Sequence, residues 1–245
     1  MNYPQYILTW ALDLIYPVKC MNCGKFPDHL KKEYLCDSCA RRLPIRKTLE
    51  CIGCKSSATA GITCINCRKN NYIDQLLVVS DYNDPIVVNL IKGLKYKFIK
   101  ELTQPISFLI KKYIFILNKN KGINILEEKP VITSVPLESR RLNCRGFNQA
   151  ELIAESLGDI LQINTRNNLL SKVRVTKPQA EISERQKRLE IPPNTFKVTN
   201  DIAIRNQTII IVDDVCTTGA TLNACAEVLK KAGAKKVIGF VIARG

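Results

Sequence analysis

Two groups of residues in this sequence have the types and spacing that chemistry requires. One is Asp213-Asp214, which ends the apolar run Ile209-Ile210-Ile211-Val212 and is followed at once by Thr217-Thr218-Gly219-Ala220-Thr221. The other is a series of C-x-x-C pairs: Cys20/Cys23, Cys36/Cys39, Cys51/Cys54 and Cys64/Cys67. Adjacent carboxylates offer acceptors to a vicinal pair of sugar hydroxyls, or ligands to Mg²⁺. A threonine-rich turn at the start of a helix adds hydroxyls and free backbone N–H groups, a combination that suits an anion. Gly219 lets the backbone wrap closely around that anion. Carboxylates for hydroxyls, then a cradle for phosphate, describe a ribose 5-phosphate pocket. The alternative is a capped strand–helix unit that holds no ligand.

Other nucleotide-binding patterns are excluded. The chain has no G-x-x-x-x-G-K-[ST] and no G-x-G-x-x-G. A receiver domain also starts from a strand ending in paired aspartates. It then needs a phospho-acceptor Asp downstream, and no Asp follows Asp214.

In a C-x-x-C knuckle both thiolates reach one ion at about 2.3 Å, and two knuckles close a tetrahedral Zn²⁺ site. The pairs are separated by 12, 11 and 9 residues and predict two Zn²⁺ ions, with iron–sulfur as the lesser alternative. Spacing leaves open whether neighbouring pairs combine or cross over. His29, the only histidine, is not needed by two sites already supplied with cysteines. Cys216 and Cys225 have no histidine nearby to activate them and read as small buried hydrophobes.

The cysteine-bearing segment is short in large aliphatics, so metal binding has to help fold it. From residue 75 onward strand-like and helix-like runs alternate. The expected strands lie over 76–82, 130–136, 169–175, 208–214 and the run KKVIGFVIA. The expected helices lie over 86–98 (capped by Asp84), 103–117, 147–161 (capped by Asn148, with Glu151 at the capping-box position) and 220–232, ending at Gly233. Residues 119–129 and 176–193 read as polar connections, and 6–16 as a short amphipathic helix. Alternation of this kind implies an α/β fold with a parallel sheet covered on both faces. The boundary falls at residue 71: residues 1–71 form the helix and zinc-binding module, residues 72–245 the α/β domain.

The formal charge of the 245 residues is +15, from 37 Lys and Arg against 22 Asp and Glu, which favours anionic partners. The first residues make a poor signal peptide, with no basic start and with Asp13 in the apolar stretch. No run reaches the about 18 apolar residues of a membrane helix. Clustered C-x-x-C thiols and no signal place the chain in a reducing, cytoplasmic compartment.

VDDVCTTGATL resembles the phosphoribosyl pyrophosphate (PRPP) signature of type I phosphoribosyltransferases. Together with SVPLESRRLNCRGFNQAELIA, TKPQAEISERQKR and the preceding knuckles, it is similar to the ComF family of competence proteins along nearly the whole chain. The resemblance implies a type I phosphoribosyltransferase-like parallel sheet flanked by helices, preceded by a small cysteine-rich zinc-binding domain. It implies that Asp213 and Asp214 hold the ribose hydroxyls, that Thr217, Thr218, Gly219, Ala220 and Thr221 wrap the 5-phosphate, and that Mg²⁺ accompanies PRPP. Arg140, Arg141 and Arg145 take the place of the pyrophosphate loop's cations. Arg174, with Lys177, Arg185 and Arg188, falls in the loop that closes over PRPP. Glu138-Ser139 stand where the family commonly carries His-Pro. The family implies a binding protein of natural transformation that handles single-stranded DNA at the cytoplasmic face of the inner membrane beside a helicase-like partner. The alternative is an active Mg²⁺-dependent phosphoribosyltransferase acting on an amine or base, with Asp213 and Asp214 as its catalytic pair.

Overall fold

The computed structural model describes residues 18–26, 34–121, 123, 129–173, 191–192, 194–199, 202 and 204–245. Its centre is a parallel sheet of four strands: β1 (Gln75–Asp81), β2 (Val131–Ser134), β5 (Thr208–Cys216) and β6 (Lys236–Arg244), in the order β1-β6-β5-β2. Strands buried on both faces read as continuous apolar runs, and Thr208–Val212 and Val237–Ala243 are buried at every position.

Alternate residues of β5 serve the two faces. Ile210 and Val212 join the core beneath α2 (Pro85–Tyr96), α3 (Thr103–Lys121) and α5 (Gln149–Leu161). Ile209 and Ile211 join the core beneath α6 (Ala220–Lys231). The caps form where the sequence predicts them. Asp84 Oδ1 accepts from the N–H groups of Ile86 (2.9 Å) and Val87 (3.2 Å), with Pro85 opening α2. Asn148 Oδ1 accepts from Ala150 N–H at 3.0 Å. Glu151 does meet this cap, but through the Asn148 side-chain amide (3.2 Å), because asparagine carries a donor that serine and threonine lack.

The structure departs from the sequence reading in three places. Ser139–Arg145, read as loop, forms α4, which Gly146 ends at φ 73°. Its basic and polar side chains disguise the turn's helical propensity, and it has no buried residue to give it a period. The strand expected over 169–175 is β3 (Leu170–Lys172). It pairs antiparallel with β4 (Phe196–Val198), which was not anticipated and is too short for a period-2 signal. The helix expected to stop at Leu117 runs to Lys121, since Lys and Asn at its exposed end still permit helix. The expected helix at 6–16, His29 and most of the connection at 176–193 lie outside the described residues.

The cysteine-bearing segment does not stand apart from the sheet. It holds a short helix, α1 (Asp37–Arg41). Cys20, Cys39, Leu43 and Leu49 share a core with Leu77 and Val79 of β1, and Ile52 shares the other core with Leu76, Val241 and Leu222. No helix of the described residues is long and apolar enough to cross a membrane.

Candidate functional site

The carboxylates stand near the C-terminal end of β5, the edge at which parallel sheets gather ligands. Asp214 is 3% exposed, and Lys95 in the last turn of α2 meets its Oδ1 at 2.7 Å. Its other oxygen, Oδ2, is buried without a hydrogen-bond partner. Asp213 is partly buried and accepts the Asp214 N–H at 2.8 Å. Burial, and then the neighbouring Asp214 charge, push the Asp213 carboxyl up to about 8; the Asp214 N–H and Lys95 pull the other way. Near neutral pH Asp213 therefore keeps its proton, while Lys95 pairs with Asp214. A charged pair with an unpartnered buried oxygen is set to accept donors from a ligand.

The turn after β5 leads directly into α6. Thr217 and Thr218 are exposed, Thr221 is partly exposed, and Ala220 N–H donates to Thr218 Oγ1 at 3.3 Å at the first turn of α6. Gly219 is buried at φ 84°. A Cβ there would lie 2.9 Å from Ile52 Cγ1 and 3.7 Å from Cys216 Sγ, so backbone freedom and close packing both demand glycine.

The arginines divide. Arg145 donates from Nη1 to Gln149 Oε1 at 2.8 Å, and its guanidinium lies 5.7 Å from the ring centre of Tyr96, the residue after Lys95. That contact brings the end of α4 beside the end of α2. Arg140 and Arg141 are exposed on α4, and no hydrogen bond or ion pair among the described residues ties them to the carboxylates. Arg174, Lys177, Arg185 and Arg188 lie outside the described residues. Phe147 is core, 7% exposed, beneath the Lys100 ammonium.

The knuckles combine with their sequence neighbours. Cys20, Cys23, Cys36 and Cys39 form one tetrad and Cys51, Cys54, Cys64 and Cys67 the other, with all four sulfurs of each within 4.8 Å of one another. The Sγ–Sγ separation is 3.7 Å for Cys23–Cys36 and 3.9 Å for Cys54–Cys64. A tetrahedral ion with 2.3 Å bonds sets that edge at about 3.8 Å. The tetrads thus fit zinc-binding modules, and the larger body of an iron–sulfur cluster would spread the sulfurs. The thiols are already differentiated. A hydrogen bond to Ser38 pulls Cys36 to about 6, and Ser56 does the same for Cys54. Burial pushes Cys39 to about 12, and the Cys64 thiol pushes Cys67 to about 12. Four crowded sulfurs cannot all ionise without a cation to share. Gly53 is required here, since a Cβ would lie 2.7 Å from Cys67 Sγ. Cys216 and Cys225 are buried, and burial raises both thiols, as expected of inert core cysteines.

Three residues of the site escape sequence reasoning. Lys95 is one lysine among many on a helix, and only the fold carries it to Asp214. Ile52 reads as filler within a knuckle. Arg244, 4% exposed, donates to the carbonyls of Cys51 (3.2 Å) and Ile52 (2.5 Å) and pairs with Glu50 at 2.8 Å.

Comparison with known proteins bears on this geometry. Residues 144–245 match the model of the phosphoribosyl transferase domain. The chain is 30% identical over 233 residues to the DNA utilization protein YhgH of Salmonella typhimurium, covering 94% of this chain and 99% of that one. The same identity and coverage hold for YhgH of Escherichia coli K12. Competence protein F of Haemophilus influenzae is 28% identical over 92% of this chain and 96% of its own, and competence protein ComFC of Streptococcus pneumoniae 35% identical over 45% and 46%.

Proposed function

We propose, for a chain that belongs to the ComF family of competence and DNA utilization proteins, that it binds PRPP or a ribose 5-phosphate group, together with single-stranded DNA, during DNA uptake in natural transformation. The observation that carries the reading is the pairing, on one sheet edge, of Asp213-Asp214 with the glycine-floored turn Thr217–Thr221. On this reading the ribose hydroxyls donate to the aspartates, and the 5-phosphate accepts from the backbone N–H groups and threonine hydroxyls at the start of α6. Mg²⁺ would come with PRPP, its charge compensating the pyrophosphate. Arg145, and Arg140, Arg141 and Arg174 when the ligand arrives, would serve the pyrophosphate oxygens bidentately. Two Zn²⁺ ions would hold the cysteine tetrads and, in doing so, fold residues 18–71 against residues 72–245. The +15 charge suits a polyanion. On the same reading the protein works in the cytoplasm, peripheral at the inner membrane, beside a helicase-like partner.

A second reading, an active phosphoribosyltransferase, is favoured by Asp213 itself. A carboxyl raised to about 8 is, once ionised, basic enough to take the proton of an attacking amine.

The test is calorimetric titration of the full chain with PRPP·Mg²⁺, and anisotropy of a labelled single-stranded oligonucleotide across a salt series. Asp213→Ala/Asp214→Ala should abolish PRPP binding and leave the oligonucleotide's salt slope intact; Cys51→Ser should weaken both. Pyrophosphate release with a panel of amines and bases, absent in the aspartate variant, would turn the assignment to the transferase. Failure of the wild type to bind either ligand would refute both readings.

A further inference from the structure

We propose that the second cysteine tetrad is the floor of the candidate phosphate loop and that Ile52 is the positioning residue between them, so that metal at the tetrad and anion at the loop bind cooperatively. The proposal rests on the ribose-phosphate reading for the identity of the anion; the mechanical contact stands on its own.

Ile52 sits inside the knuckle Cys51-x-x-Cys54 and is 1% exposed, next to Cys51 at 0%. Its side chain meets the α-carbon of Gly219 so closely that a Cβ on that glycine would lie 2.9 and 3.0 Å from its Cγ1 and Cδ1. Gly219 is the residue whose left-handed backbone turns the chain from β5 into α6. Two further ties hold the knuckle segment in place, one to β6 and one to α6. Arg244, at the end of β6, donates to the carbonyls of Cys51 and Ile52 and is held by Glu50. Asn223, in the first turn of α6, accepts Tyr72 N–H at 2.6 Å and donates to the Asn70 carbonyl at 3.2 Å, three residues past Cys67. The knuckle therefore reaches the loop from below through Ile52, and the start of α6 from the side through Asn223.

A knuckle holds its shape only while its thiolates share a cation. Without one, the knuckle is free to open, Ile52 leaves Gly219, and the turn from β5 into α6 loses its support. By reciprocity, an anion that fixes the loop stabilises the loaded tetrad by the same factor. Among the described residues nothing comparable links the first tetrad to the loop: it packs instead toward α2 and α3, through Met21 against Gly93 and through Leu43, whose carbonyl accepts from Lys112.

The experiment compares hydrogen exchange of the segment 217–223 in the zinc-loaded wild type, in Ile52→Ala, which keeps every thiol, and in Cys54→Ser. Exchange should quicken in both variants by on the order of tenfold, with β2 unchanged and, in Ile52→Ala, zinc content at the wild-type level. Saturating PRPP·Mg²⁺ should slow one of two phases of zinc transfer to a chromophoric chelator by a similar factor. Unchanged exchange at 217–223 in both variants overturns the proposal, as do chelation rates indifferent to a PRPP that binds. A wild type that binds no PRPP, yet shows the exchange response, sinks the ribose-phosphate reading and leaves the mechanical linkage standing.

Discussion

On the PRPP reading a proton must leave before the ribose arrives, and that gives the site a measurable pH signature. The Asp213 carboxyl, held at about 8 by burial and by Asp214, can accept sugar hydroxyls as an anion only after deprotonation. If the ligand binds the deprotonated form alone, affinity is reduced by a factor of one plus the ratio of protonated to ionised carboxyl. That factor is about 11 at pH 7 and about 1.1 at pH 9, so PRPP·Mg²⁺ should bind about tenfold tighter at pH 9 than at pH 7. At pH 7 close to 0.9 proton should be released per ligand bound. Phosphate monoesters titrate near pH 6, below this window. Calorimetry at pH 7 in buffers of different ionisation enthalpy reads the released proton directly, and a titration series from pH 6.5 to 9 reads the slope. Asp213→Asn should bind weakly and without pH dependence. Stability should run in the opposite direction. A carboxyl whose folded pKa lies above its unfolded 3.8 makes the folded state bind more protons between the two values. Its contribution is thus present below pH 4 and lost as pH rises through 8, so Asp213→Asn should melt higher than the wild type at pH 8.5. Tight binding with flat affinity and buffer-independent heat would refute the reasoning.

Other expectations follow from single contacts. Lys95→Met strands the buried Asp214 charge, a loss of about 3–5 kcal/mol, and should lower the melting temperature by roughly 10 °C; Lys95→Met/Asp214→Asn should recover most of it. Gly53→Ala drives a methyl into Cys67 Sγ and should reduce bound zinc, measured by emission spectrometry, from two ions to about one. Arg244→Met leaves Glu50, 6% exposed, without its Arg244 partner. It should cost a further few kcal/mol in denaturant titrations, whereas Arg140→Ala, on an exposed helix face, should change stability by less than about 0.5 kcal/mol.

What was legible in advance follows from how locally each feature is encoded. Thr208–Cys216 announces itself through an unbroken β-branched run and a charged end, and the Asp84 and Asn148 caps are three-residue events. The knuckles are visible because metal geometry fixes their internal spacing. Which knuckles would share an ion is not legible, since spacing within a pair says nothing of which pairs the fold brings together. Lys95 and Arg244 were invisible for a different reason. Each acts on a partner more than a hundred residues away, and a lone cation carries no period. The pair β3–β4 was missed because three-residue strands owe their pairing to Leu170 and Phe196 meeting the core beneath α6, a tertiary cause with no local trace.

The position of β6 between β1 and β5 has a consequence for how the molecule is made. β1 has no other strand neighbour in the sheet, and Asp74 beside it bonds Val237 N–H across 163 residues. During synthesis the cysteine segment and β1 therefore emerge long before the strand that completes them. Until residues 236–244 leave the ribosome, β1 presents to solvent the Leu- and Val-rich edge that β6 will cover, the kind of surface that recruits other chains, while its other edge is met in part by Ile62 and by the Arg46 N–H. Early capture of zinc by the tetrads would tie up the neighbouring backbone during that interval. Chains truncated before residue 236 should accumulate as aggregates rather than as a stable fragment, and zinc supply during expression should govern how much of the complete chain escapes the same fate.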